Sequence, residues 1–287
     1  MFSNSRIKSV FLCIIAIILA IIVLIQIISV SAVNIDAEKG IKVPIIMYHS
    51  VLDSERRSGD FVISTKTLEN DLLYLRQNGY SPILISDLIN YVNNDGSLPQ
   101  NPVILTFDDG FYNSLAFVLP LLEKYDMKAS VSVVGYYSKV NSECPDKNPS
   151  YAYLTWDDIL DLLRTKRIEI GNHSFNMHSH TSRRAGSKKN KYESEDDYYS
   201  LFLRDTLNLQ DMLKTNCDYQ PYFYTYPFGF YCEQSEKYLK QIGFKATLTC
   251  EQKMNYITKD PNSLYLLGRY NRPSGISTEE FMKKALK

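Results

Sequence analysis

Short apolar runs alternate with amphipathic stretches from Asn34 to the C-terminus, and this alternation restricts the fold more than any other feature of the chain. The apolar runs, bounded by turn-forming residues, read as strands buried on both faces, and the stretches between them carry helical periodicity. Repeated strand–helix order builds a parallel sheet covered by helices. Strands are expected at 43–49 (VPIIMYH), 82–85, 103–107 (VILTF), 129–134, 167–171 (RIEIG), 221–226, 245–249 and 263–270. Helices are expected at 68–78, closed by Gly79, and at 87–92, 114–125, 155–164, 197–215, 234–242 and 278–285. Thr155 and Asp158 have the spacing of a capping box. Seven or eight strands in this order predict an α/β fold, a (β/α) barrel that is distorted or incomplete. About 250 residues suit one such domain, and no repeat or Pro/Gly-rich linker divides it.

The first 35 residues form a separate unit. Arg6 and Lys8 precede an uncharged run over residues 9–35. About 20 apolar residues cross a bilayer as a helix, and a positive N-terminal flank keeps that end cytoplasmic. Residues 1–35 are therefore expected to be a cytoplasmic stub and transmembrane signal-anchor, with residues 36–287 as a catalytic domain outside the cell. Val30-Ser31-Ala32 resembles a signal-peptidase site, and cleavage there would make the domain a secreted one. Lys plus Arg and Asp plus Glu both number 32. This balance gives no reason to expect a nucleic-acid partner. Cys144, Cys217, Cys232 and Cys250 admit three pairings that sequence does not choose between. The 22 Tyr suit a β-rich core and a sugar-stacking groove alike.

Four polar segments fall just past the ends of expected strands: His49, Asp108-Asp109, His173 with His178, and Tyr226–Gly229. In parallel barrels that face carries the active site. Asp108-Asp109-Gly110 alone reads as a polar turn. Two adjacent carboxylates nevertheless repel unless a positive group stands beside them. The chain has four histidines, and three fall in GNHSFNMHSH directly after a strand. A lone strand-end histidine is more often structural; a cluster opposite an Asp pair reverses that reading. Two imidazoles and one carboxylate suit zinc or another divalent transition metal. One Asp is then expected to ligate while the other takes a proton.

TFDDG (Thr106–Gly110), the GNHS…H segment and YPFG (Tyr226–Gly229) resemble the motifs of the polysaccharide deacetylase family, the NodB-type carbohydrate esterases. VPIIMYHSV near the start of the domain is similar to that family's poly-N-acetylglucosamine deacetylase branch. The resemblance runs from Val43 to the C-terminus. It implies Asp109, His173 and His178 as metal ligands, Asp108 as general base, and Zn2+ as the ion, with Co2+ or Ni2+ as alternatives. It also implies a substrate and oxyanion segment at Tyr226, Pro227, Phe228 and Gly229.

Three departures from the pattern matter. His173 and His178 are five apart rather than four, and His180 is a competing ligand. Tyr226 stands where many members place an Arg before Pro227, so Arg269 is expected to orient Asp108 instead. The late Leu-x-His motif is missing, and His49 is left as the general acid. The expected function is metal-dependent removal of N-acetyl groups from an extracellular N-acetylglucosamine-containing polysaccharide, either peptidoglycan or exopolysaccharide. The alternatives are an O-acetyl xylan-type esterase and an inactive carbohydrate-binding barrel.

Overall fold

The structure, a computed structural model, describes residues 40–287 together with Cys13, Ile14 and Ile17. Apart from those three positions, the expected membrane anchor lies outside the described residues. Among the described residues no helix is long and apolar enough to cross a membrane. The chain divides into two units, Met1–Glu38 and Lys39–Lys287, and the second carries everything below.

The second unit begins with strands β1 (Ile41–Val43), β2 (Ile45–Tyr48), β3 (Ser50–Leu52) and β4 (Val62–Ser64). Helix α1 (Thr65–Gln77), β5 (Ser81–Ile83) and α2 (Ile85–Asn93) follow. Next come β6 (Pro102–Phe107), α3 (Leu119–Tyr125), β7 (Ala129–Val133), α4 (Gly135–Glu143) and α5 (Trp156–Arg164). After β8 (Ile168–Asn172) runs the long α6 (Glu195–Cys217), then β9 (Phe223–Thr225), α7 (Glu233–Gln241) and β10 (Ala246–Leu248). The unit ends with β11 (Asn255–Ile257), β12 (Tyr270–Asn271) and α8 (Thr278–Ala285).

The main sheet has the order β10-β9-β8-β7-β6-β2-β12, with β5 beside the start of β6. All of its pairings are parallel. Every residue of β6, β7 and β8 is buried, as strands covered on both faces must be. One parallel bridge joins the β10 end of the sheet, at Leu248, to Leu267 in the segment leading to β12. There Thr249 N–H donates to Leu267 O (2.9 Å) and Leu267 N–H to Thr247 O (2.8 Å). The result is a curled parallel sheet that closes only loosely, in keeping with an incomplete barrel.

Local signals explain the helices. Thr155 Oγ1 accepts from Asp158 N–H (3.1 Å) and Asp158 Oδ2 accepts from Thr155 N–H (3.0 Å), the reciprocal box anticipated from their spacing. Gly79 follows α1 at φ +71°, a backbone region open to glycine at no steric cost. A buried ion pair anchors the strand that leads to His49. Asp71 on α1 accepts from Arg272 Nε (2.8 Å), from Thr278 Oγ1 on α8 (2.6 Å) and from the Tyr48 hydroxyl (3.2 Å).

The last part of the chain differs from the expectation. Residues 263–270 are not a strand; a short turn at Pro261–Leu264 and an irregular segment lead to the two residues of β12. Side chains occupy the backbone groups that a strand would offer a neighbour. Asn255 takes both the N–H (2.8 Å) and the O (2.9 Å) of Gly268, and Thr247 Oγ1 takes the N–H of Leu266 (2.8 Å). Cys144, Cys217, Cys232 and Cys250 are all free.

Candidate active site

Each site segment continues a strand for one residue before the chain turns. Asp108 N–H still donates to Tyr48 O (3.0 Å), and His173 N–H to Val133 O (3.1 Å). Their side chains therefore start from ladder positions rather than from free loops. The turn follows at once: Asp109 sits at φ +72°, Ser174 at +68° and Phe228 at +58°. Non-glycine residues in this region cluster at functional sites. Gly110 must be glycine, because a Cβ there would lie 2.9 Å from Val133. Asn113 ties the two loops together. Its Oδ1 accepts from Val51 N–H (3.2 Å), and its Nδ2 donates to Ser50 Oγ (2.9 Å) and Pro149 O (3.0 Å).

Asp109, His173 and His178 converge, with one ligand atom from each lying within 4.8 Å of the others. His178 Nε2 is 3.1 Å and His173 Nε2 3.5 Å from Asp109 Oδ1. Neither contact has hydrogen-bond geometry, so Oδ1 is buried without a partner. The His173 ring is fixed from its other side, where Nδ1–H donates to Thr225 O (2.7 Å). That bond selects the tautomer whose Nε2 carries a lone pair toward Asp109, the orientation that a metal-ligating histidine needs. Burial works against a charge on Asp109, but His173 and His178 outweigh it and hold its carboxyl far below the usual range. Burial likewise works against a charge on His173, and Asp109 and Asp108 outweigh it and raise its pKa. A carboxylate and two imidazoles whose ligand atoms converge, with a buried oxygen unsatisfied, fit a divalent transition metal.

Asp108 stands apart from this triplet. Arg269 Nη1 and Nη2 donate to its Oδ1 (2.7 Å) and Oδ2 (2.8 Å), and both side chains are essentially inaccessible to solvent. Burial alone would raise the Asp108 pKa; the guanidinium reverses this and lowers it. Arg269 thus stands against Asp108, the carboxylate it was expected to orient, and not with the Tyr226–Gly229 segment. It spends its remaining donors on Thr249 O (2.8 Å), Thr106 Oγ1 (3.2 Å) and Cys250 Sγ (3.7 Å), so it lies beneath Asp108 rather than beside a substrate oxygen.

His49 lies within electrostatic reach of both carboxylates. Burial lowers its pKa, partly offset by Asp108 and Asp109. Its Nδ1 is buried without a partner, and Phe61 packs edge-on against its ring with centroids 4.8 Å apart. Tyr226 corrects another expectation. Its ring is fully buried, its hydroxyl donates to Glu236 Oε2 (2.9 Å) and its N–H to Leu248 O (3.0 Å), so it turns away from the site. Phe228 is the exposed member of that segment, its ring 4.5 Å from that of His178. Pro227 is buried, and a Cβ on Gly229 would meet Cys250 at 2.7 Å. His180 contacts Phe228 and Phe230 and is not part of the converging triplet. Trp156 packs against the core.

The sequence reading missed the aromatic wall beside His178. Phe111 stacks on Tyr153 (5.0 Å), Tyr153 on Tyr137 (4.3 Å), and Tyr137 stands edge-on to His178 (6.3 Å). Nothing in the local pattern distinguishes these rings from core aromatics; only their proximity to the histidine does.

A family model described as polysaccharide deacetylase matches residues 95–247. The chain belongs to that family. Poly-beta-1,6-N-acetyl-D-glucosamine N-deacetylase of Escherichia coli K12 is 23% identical over 227 residues, which cover 72% of this chain and 33% of that protein. The chain thus spans only about a third of that relative's length. A de-N-acetylase structure from Aggregatibacter actinomycetemcomitans has a TM-score of 0.71 at 24% identity, over 84% of this chain and 99% of that one. The structure of IcaB from Ammonifex degensii has a TM-score of 0.69 at 23% identity, over 87% and 99%. Both share the fold of this chain.

Proposed function

We propose that the chain is a metal-dependent hydrolase that removes N-acetyl groups from an extracellular polysaccharide containing N-acetylglucosamine, peptidoglycan or an exopolysaccharide. The observation that carries this reading is the orphaned Asp109 Oδ1 facing two imidazoles, one residue from a carboxylate held by arginine. Similarity to the Escherichia coli poly-beta-1,6-N-acetyl-D-glucosamine N-deacetylase supports the substrate class.

Asp109, His173 and His178 would hold the ion, with Zn2+ favoured by the donor set. What a divalent ion supplies in such a site is Lewis acidity toward a carbonyl and toward water. The chain's own residues do the rest. Asp108, ionised through the neutral range, accepts the proton of the attacking water. The water oxygen bonds to the acetyl carbon, the C–N bond breaks, and acetate leaves. His49 protonates the departing nitrogen, which stays on the sugar as an amine. The Phe228 amide precedes the first bond of its turn, Gly229 N–H to Tyr226 O (2.8 Å), and serves as the oxyanion donor. The exposed rings of Phe61 and Phe228 suit the apolar faces of sugars.

Acetate release should be measured on poly-β-1,6-N-acetylglucosamine, chitooligosaccharides, peptidoglycan and acetylated xylan. Release from the N-acetyl polymers should stop with chelator and return with Zn2+. Release that ignores the chelator, or that occurs on xylan alone, defeats the reading. The uncharged run over residues 9–35 supports a membrane anchor with the domain outside the cell. Intact cells should therefore act on a polymer too large to enter them.

His49→Ala tests the acid. Since burial lowers its pKa, His49 is protonated only below its ordinary value of 6.5, and the rate it supports should fall as pH rises through that lowered pKa. The substitution should cost about 10²- to 10⁴-fold in kcat/KM and remove that limb. Unchanged rates across pH would rule His49 out.

A further inference from the structure

Residues five apart on an α-helix lie about 140° around its axis, so a helical turn does not bring His173 and His178 to one ion. The loop between them is irregular, beginning with Ser174 at φ +68°, and its backbone amides need acceptors from elsewhere. Four amides separate the two ligands. Ser174 N–H donates to Asn172 Oδ1 (2.9 Å) and Met177 N–H to Ser174 Oγ (3.1 Å), both local side chains. The middle two leave the loop altogether. Phe175 N–H and Asn176 N–H donate to Oδ1 (2.8 Å) and Oδ2 (2.7 Å) of one buried carboxylate, Asp205 on α6.

Met177 and Phe175 pack inward against the core, while Asn176 at the middle of the loop is exposed. A cleft of about 300 Å³ runs along it, lined by Phe175, Asn176, Met177, Arg184, Arg204 and Asp205. The two ligands are also unequally fixed. His173 is tied through Nδ1 to Thr225 O, whereas the His178 ring makes no hydrogen bond among the described residues and touches Phe228 and Tyr137. Its position depends on the backbone that carries it.

We propose that Asp205 is a positioning residue for the metal site, bracing the 173–178 loop and thereby the place of the His178 imidazole. This inference rests on the metal-hydrolase reading. A control for a purely structural role exists at the other end of β8. There the buried Glu169 also accepts two consecutive amides, Ile85 N–H (2.6 Å) and Ser86 N–H (3.2 Å), far from the ligand loop.

The test uses the full chain as wild type, Asp205→Asn, Asp205→Ala, Glu169→Gln and His178→Ala. Zn2+ affinity is read by chelator competition, ligand geometry by the Co2+ absorption spectrum, and stability by thermal melting. Asp205→Ala should lose about 10- to 100-fold in Zn2+ affinity and shift the Co2+ bands. Asp205→Asn keeps the shape and one acceptor oxygen, and should fall between Ala and wild type; it decides the matter if Ala does not fold. Glu169→Gln should melt earlier yet bind metal as wild type does. Wild-type affinity and spectrum in the Asp205 variants, or equal losses in Glu169→Gln, overturn the inference and leave the hydrolase reading intact. A wild type that takes up no metal, or His178→Ala binding as tightly as wild type, brings down both.

Discussion

Asp108→Asn should keep its metal and lose its turnover, with kcat falling about 10²- to 10⁴-fold. Asp108 is adjacent to Asp109 but outside the converging triplet, so its replacement removes no donor atom. What it removes is the group able to accept a proton, because an amide has no such capacity at neutral pH. The substitution also disturbs the pair beneath it. Arg269 presents a donor to each Asp108 oxygen, and the Asn amide would set an N–H₂ against one of them. A stability loss of about 1–3 kcal/mol should accompany the loss of rate. Metal content, kcat and melting temperature measured on one preparation separate these effects. Retained turnover would remove the general-base assignment, and lost metal would make Asp108 a ligand.

The parts of the fold that the sequence reveals are those where one residue's environment decides its type. β6, β7 and β8 are buried on both faces, and their apolar runs are legible for that reason. The site segments are legible because polar residues interrupt such runs at strand ends. Interactions that span the chain are harder to read. Arg269 lies 161 residues from Asp108 and reaches it only because the sheet curls; sequence reached the pair only by noticing a missing arginine before Pro227. Asp205 gives no signal on α6, since acidic residues are ordinary on long helices. The last strand was misplaced because alternation in SLYLLGRY mimics a ladder whose backbone groups are taken by Asn255 and Thr247. β11 and the β3–β4 pair escaped notice because strands of three residues are too short to show a period.

Arg269→Met should be the most destabilising substitution near the site, and its effect should depend on pH. Breaking a buried pair by removing one partner costs about 3–5 kcal/mol, which in a domain of this size lowers the melting temperature by on the order of 10 °C. The sign follows from Asp108. In the intact pair the arginine outweighs burial, so the folded pKa lies below the unfolded value of about 3.9. The stability this supplies is fully present above that unfolded value and fades as pH falls through the folded one. In Arg269→Met only His173 and His49 are left to oppose burial and the Asp108 pKa rises, so holding the carboxylate ionised becomes costly as pH increases. The gap in melting temperature between wild type and variant, measured with metal removed by chelator, should therefore be small near pH 4 and wide at neutral pH. A second effect reads the same cause through catalysis: the acid limb of kcat/KM should move to higher pH, since Asp108 must be ionised to accept a proton. The double variant Asp108→Asn/Arg269→Met removes both charges of the pair, and should regain part of the stability while recovering none of the rate. A gap in melting temperature that stays constant across pH would mean that Arg269 supports the fold by packing alone, and that something else keeps Asp108 ionised.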